Sequence, residues 1–143
     1  MYICRVIMNN TRFATAIHIM TLLSKFSQEW MTSDWLAGSI NVNPVIVRKE
    51  IGVLKEAGLI ISRKGKEGGS QLAKDASEIS ISEIYSAVKN SDVLGKKNNN
   101  PNPACPVGKN INSHLVQLFT ETDVLVCKFL GDKSLKEFTE HFD

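Results

Sequence analysis

A chain of 143 residues and 15.9 kDa, 43% hydrophobic, matches one ordinary domain with material for one core, and at that size it folds without a disulfide or a structural metal. The odd set Cys4, Cys105 and Cys127 has no C-x-x-C pair, no apolar stretch approaches the roughly 20 residues of a membrane span, and no signal-peptide pattern opens the chain, which predicts a cytoplasmic protein with no metal site and excludes a secreted disulfide scaffold. The formal charge of +2 hides a basic centre, seven Lys/Arg against three Asp/Glu over residues 41–74 but seven against ten over residues 75–143, and that centre is a candidate phosphate-contacting surface.

From Asn10 onward, Phe13, Ala16, Ile17, Met20 and Leu23 recur at spacings of three and four, which predicts a first helix with one apolar stripe. His18 has no His or Cys at i+3 or i+4 and reads as an ordinary helix residue. A short second helix starts at Thr32 or Ser33, either of which can cap it, and runs to Ile40. After the turn Asn41-Val42-Asn43, Pro44 suits the first helical position and Asn43 the N-cap. The third helix extends to about Ala57, with Val47, Ile51 and Leu54 facing inward and Val45, Arg48, Lys49 and Gly52 on the opposite stripe, and Gly58 stops it. Two helices joined by a tight turn, the second basic on its outer face, outline a helix-turn-helix. Leu59 to Arg63, the turn-rich Lys64 to Gly69, and Ser70 to Leu72 then read as a β-hairpin whose tip carries Arg63, Lys64 and Lys66. The expected fold is therefore mainly α with a small β-hairpin, a winged helix-turn-helix over residues 8–89.

Ser80 to Glu83 has the capping-box form and opens a helix with Ile84, Tyr85 and Val88 on one face. Residues 90–106, rich in Asn, Lys and Pro, read as a mobile loop. From Val107 the positions Ile111, Leu115, Leu118, Leu125 and Phe129 form a helical stripe, interrupted at Thr122, of about 22 residues or about 33 Å. So long a stripe exceeds what a small winged helix covers, and a second subunit is its simplest cover. Residues 107–143 are thus read as a dimerisation helix followed by a short terminal helix, opened by the capping box Ser134 to Glu137, with Leu135, Phe138 and Phe142.

Several stretches together carry a specific resemblance: Asn-Thr-Arg-Phe at the first helix, Asn-Val-Asn-Pro-Val-Ile-Val-Arg-Lys leading into Leu-Lys-Glu-Ala-Gly-Leu-Ile, Ser-Arg-Lys-Gly-x-x-Gly-Gly in the wing, and Ile-Ser-Ile-Ser-Glu-Ile-Tyr-Ser-Ala-Val after it. Over nearly its whole length the chain resembles the Rrf2 family of bacterial transcription regulators, and Asn-Pro-Ala-Cys-Pro-Val-Gly ahead of the long helix is similar to the YwnA-like branch of that family. The resemblance implies a homodimeric repressor bound to double-stranded DNA, with the long helices crossing in the dimer. It implies a groove-facing set of Asn43, Pro44, Val45, Arg48 and Lys49 and a wing set of Arg63, Lys64 and Lys66, and Arg12 and Ser33 join the DNA-contacting residues. Arg48 is the best base reader, since its guanidinium can meet guanine O6 and N7 in two parallel bonds, while Lys49 holds phosphate.

Two departures stand out. Lys64 occupies the place before the first wing glycine where the family often has arginine, so either Arg63 or Lys64 enters the minor groove. Cluster-binding members carry three closely spaced cysteines before the long helix, and here only Cys105 stands there, so the chain is read as holding no iron–sulfur cluster and no other cofactor. Cys105, followed by Pro106 at a helix start, is the redox candidate, through which an oxidant effector would release DNA, with a purely structural thiol as the alternative. A small-molecule effector is the other option. Family members begin near Met8, so residues 1–7, Cys4 included, read as an N-terminal extension. Two rival functions remain at this point: an enzyme using Cys105 and His114 as nucleophile and base, which lacks an acid orienter, and a winged helix that serves as a protein-interaction adaptor without DNA binding.

Overall fold

The computed structural model describes residues 11–143; the expected extension at residues 1–7, with Cys4, lies outside the described residues. Helix α1 (Arg12–Lys25) buries Ala16, Ile19, Met20 and Leu23, while Phe13 and Ile17 pack at the edge of the same core. Helix α2 (Ser33–Ile40) is capped by Thr32, whose hydroxyl accepts the Trp35 N–H at 3.1 Å, and ends on Asn41 in the left-handed region at φ 65°. Helix α3 (Pro44–Glu56) starts on Asn43, whose Oδ1 accepts the Val45 N–H at 2.9 Å, with Pro44 in the first turn, where a missing N–H costs nothing. Val47, Ile51 and Leu54 turn inward as their i, i+4, i+7 spacing requires, and Gly58 at φ +82° ends the segment.

Strands β1 (Ile60–Arg63) and β2 (Gly69–Leu72) pair antiparallel, Ile60 opposite Leu72 and Arg63 opposite Gly69. Met31 adds a bridge to the outer side of β2, exchanging two backbone bonds with Ser70 at 3.1 and 2.9 Å. That bridge ties the root of the wing to the segment entering α2. The backbone crosses so closely that a Cβ at Gly69 would lie 2.7 Å from the Met31 carbonyl oxygen, and one at Gly68 would clash with the Arg63 carbonyl oxygen. The double glycine of the wing is thus a packing requirement.

A short 3-10 turn (Ala76–Glu78) leads to helix α4 (Ile81–Val88), which opens with the expected reciprocal capping box of Ser80 and Glu83. Helix α5 (Pro106–Gly131) has 26 residues, about 39 Å at 1.5 Å per residue, slightly longer than its apolar stripe suggests. Thr122 turns its hydroxyl back to the Leu118 carbonyl at 2.9 Å, so the helix passes through this polar interruption without a break. Residues 90–105 form no helix or strand pairing longer than an isolated bridge, yet they are pinned to α5: Asp123 Oδ1 accepts the Val93 N–H at 2.9 Å, and Asn112 donates to the Asn98 carbonyl at 2.9 Å. Helix α6 (Leu135–Thr139), with its own capping box of Ser134 and Glu137, does not extend the long helix outward. It returns to the winged domain, where Leu135 is fully buried and donates its N–H to the Ile79 carbonyl at 2.8 Å. One core therefore runs from α1 through α3 and α4 to α6, and fully burying each such Leu or Ile contributes roughly 1.5–3 kcal/mol.

Candidate nucleic-acid interface

The exposed face of α3 follows from its buried one. With Val47, Glu50, Ile51 and Leu54 inside, Val45, Arg48, Lys49 and Gly52 are left in water, and Val45 remains 61% exposed at the capped start of the helix. Ile46 stands exposed beside it, so the first turn presents two branched apolar side chains to solvent. Arg48 comes no closer than 4.0 Å to a carboxylate, that of the strongly exposed Asp34, a surface pair of little energetic weight. Among the described residues the Lys49 side chain has no ion-pair or hydrogen-bond partner, and neither have those of Lys64 and Lys66 on the wing. These four cations lie on the segment whose charge balance marks it as basic.

Arg63 is differently placed. Its guanidinium lies 4.5 Å over the Trp30 ring and donates to the Glu67 carbonyl at 2.6 Å, so it folds back along the wing and braces it. Of the two candidates for the minor groove, Lys64 is the one left free. Asn43 spends its side-chain oxygen on the cap of α3, and Pro44 lies beside it at the first turn. Ser33, half-buried, is the first residue of α2, where backbone N–H groups lack helical acceptors.

Arg12 is engaged within the fold. Its Nε and Nη2 donate to the two carboxylate oxygens of Glu50, both at 2.9 Å, and Glu50 is almost fully buried. The paired carboxylate pushes the Arg12 guanidinium above its ordinary pKa, chiefly through these bonds. Arg12 is therefore a clamp between α1 and α3. The sequence reading passed over Glu50, although a signal was available, since Glu50 stands on the same stripe as Val47, Ile51 and Leu54. Trp30, the platform under Arg63, left no local signal.

Along α5 two faces separate. Phe119, Thr122, Asp123, Val126 and Leu130 turn toward the loop and α4, whereas Leu118, Leu125 and Phe129 are 51%, 68% and 62% exposed. Ile111 and Leu115 of the predicted stripe are partly covered. Asp123 on the covered face lies below the ordinary carboxyl range, held there first by the Val93 N–H and then by Asp92.

Cys105 is exposed at the N-cap of α5, and the amides of Gly108 and Val107 lower its thiol pKa. Gly108 lets the loop cross there, because a Cβ would lie 2.5 Å from the Asn102 carbonyl oxygen. Cys127, partly buried, lies 22 residues further along the same helix, about 33 Å away, so the two thiols cannot share a metal or cluster within one chain. Among the described residues no group of three His, Cys, Asp or Glu side chains gathers to hold an ion. His114 stands nine residues beyond Cys105 on that helix, about 14 Å along its axis, which rules out a nucleophile–base pair between them. No helix among the described residues is long and apolar enough to cross a membrane.

A helix-turn-helix with a basic, capped second helix, followed by a two-stranded basic wing, defines a winged helix-turn-helix protein. Comparison with known proteins narrows the class: the profile of the Rrf2 family, described as an iron-dependent transcriptional regulator, matches residues 9–141, and the chain belongs to that family. It is 42% identical over 134 residues to YwnA of Bacillus subtilis (strain 168), a candidate HTH-type transcriptional regulator, covering 94% of this chain and 98% of the relative. The crystal structure of a candidate DNA binding protein superposes with a TM-score of 0.70 at 38% identity, covering 89% of this chain and 97% of that one. CymR, the global cysteine regulator of B. subtilis, shares the fold at a TM-score of 0.69 and 19% identity, covering 94% and 97%. The iron of the family description finds no matching ligand set among the described residues.

Proposed function

We propose that this protein is a cytoplasmic homodimeric repressor that reads a near-palindromic operator, with α3 in the major groove and the wing in the minor groove. The outer stripe of α3 carries this reading: an exposed apolar first turn and two cations free of strong partners, backed by a free Lys64 and Lys66. Arg48 reads guanine through its two-pronged guanidinium, Val45 meets a thymine methyl, and Asn43 and Pro44 bring the first turn close to the bases. Lys49 and Lys66 hold phosphates, as does Ser33 at the start of α2, while Lys64 enters the minor groove and Arg63 keeps the wing in shape. The uncovered ridge of Leu118, Leu125 and Phe129, with Ile111 and Leu115 at its margin, pairs with its copy, and the two reading heads then stand about 34 Å apart, one helical turn of DNA.

Cys105 supplies the response. In the presence of a peroxide its thiolate attacks one oxygen, the S–O bond forms as the O–O bond breaks, and the departing hydroxide takes a proton to leave as water. The resulting sulfenic acid at the first turn of α5 alters the dimer and releases DNA. A Cys105→Ser protein that keeps its full oxidant response removes Cys105 from this role.

Fluorescence anisotropy of the reduced protein, with DNA from upstream of its own gene beside an unrelated duplex at two salt concentrations, tests the DNA reading. Tight binding to the first duplex alone, weakening steeply with salt, is the expected result. No binding to either duplex at low salt would favour the protein-interaction adaptor instead.

A further inference from the structure

Between α1, the end of α2 and the last residues of the chain lies a cavity of about 370 Å³ that the DNA-reading surface does not use. Its walls are apolar: Ile17 and Leu22 from α1, Phe138 from α6, and Phe142 just beyond it. Four polar side chains also line it: Thr21, whose hydroxyl donates to the Ile17 carbonyl, Lys25, and His18 and Ser39, the last two joined at 3.1 Å between Nε2 and Oγ. Cavities of a few hundred cubic ångströms with apolar walls and a few convergent polar groups are the usual form of small-molecule sites.

The chain itself indicates what such a ligand looks like. Lys25 Nζ donates to the Phe142 carbonyl at 2.9 Å and to the Asp143 carboxylate at 3.3 Å, so an aromatic ring and a carboxylate on consecutive residues already lie at the site. They are held loosely: Phe142 is more than half exposed, and the Asp143 side chain is 71% exposed. An ion pair that open to water is worth little, so a free carboxylate can displace it at small cost. Among the described residues Lys25 is the one Lys or Arg lining the cavity, and the Asp143 carboxylate on it is the group a ligand would replace, which sets the sign of the ligand.

We propose that this cavity binds a small organic acid with an aromatic or branched apolar body. Its carboxylate replaces Asp143 on Lys25, and its body lies against Ile17, Leu22, Phe138 and Phe142. Because the His18–Ser39 contact joins α1 to α2, a ligand there acts on the helix that precedes α3; that consequence rests on the DNA-binding reading, whereas the binding itself does not.

Ligand-observed NMR titration of the full chain without DNA, using phenylpropanoate and its uncharged counterpart phenylpropanol as probes, separates the two. The acid is expected to bind saturably and about tenfold more tightly than the alcohol, the size of one charge-assisted hydrogen bond. Lys25→Met brings the acid to the level of the alcohol, Asp143→Asn tightens the acid, and Ala14→Trp, at an exposed position on the rim, removes both. Lys25 is exposed, so its variant folds even if the Ala14 variant does not. Equal binding of acid and alcohol, no saturable binding of the acid, or undiminished acid binding to Lys25→Met overturns the proposal.

Discussion

Replacing Arg12 with Met should destabilise the domain by about 3 kcal/mol, and the geometry of the clamp sets that figure. Glu50 has a side chain 3% exposed and takes both of its hydrogen bonds from one guanidinium, at 2.9 Å each. Removing the cation strands a buried carboxylate, which costs about 3–5 kcal/mol in comparable pairs, and the 27% exposure of Arg12 places this one at the lower end. In a chain of this size that loss corresponds to roughly 10 °C in Tm. Arg12→Lys keeps the charge but not the two-pronged geometry and should lose an intermediate amount. The double variant Arg12→Met with Glu50→Leu removes the stranded charge and should recover most of the loss. Urea denaturation followed by circular dichroism, at one fixed protein concentration because self-association would couple stability to concentration, measures the parent, these three variants and the single variant Glu50→Leu. Arg12→Met within about 0.5 kcal/mol of the parent, or a double variant in which the two single losses simply add, would refute the clamp. An Arg12→Lys protein with unchanged stability and weakened DNA binding would assign Arg12 to the phosphate contacts.

The other predictions concern surfaces. Arg48→Ala should weaken specific DNA binding by about 1–3 kcal/mol and relax specificity at one base pair, measured by anisotropy on single-base operator variants, with no change in melting temperature because Arg48 is exposed. Lys64→Ala should lower the slope of log affinity against log salt by about one unit if it replaces a counterion at the backbone, and Arg63→Ala should act instead by loosening the wing from Trp30. Leu125→Asp or Phe129→Asp should give a folded monomer in analytical ultracentrifugation, since both side chains are largely uncovered. The lowered Cys105 thiol pKa means that the reactive thiolate persists to lower pH than in an ordinary cysteine near 8.5, so iodoacetamide should label Cys105 ahead of Cys127 at neutral pH, with its rate falling only as pH drops through the depressed value.

What could be read in the sequence was what is local. The caps at Asn43, Ser80 and Ser134, the inward triad Val47, Ile51 and Leu54, and the wing are set by spacings of two to seven residues, and each appears in the structure at its expected place. Pairings across the chain were not legible. Arg12 meets Glu50 from 38 positions away, Arg63 stacks on Trp30, and Leu135 returns to the core laid down by the first helices. Composition reads residues 90–106 as a mobile loop, but it could not reveal that Asp123 and Asn112 tie this segment to the long helix, because those bonds depend on where α5 lies. The same limit explains Arg12: a motif supplies its identity, and only the fold shows that its Nε and Nη2 donate to Glu50.

The proposed function makes the protein a symmetric reader with two heads one helical turn apart. Selection of bound duplexes from a random-sequence pool by the reduced protein tests it most directly. The expected product is a near-palindrome with half-site centres about 10 base pairs apart, whose enrichment is lost with Arg48→Ala. Enrichment of a single unrepeated half-site, or no enrichment over the starting pool, would contradict it.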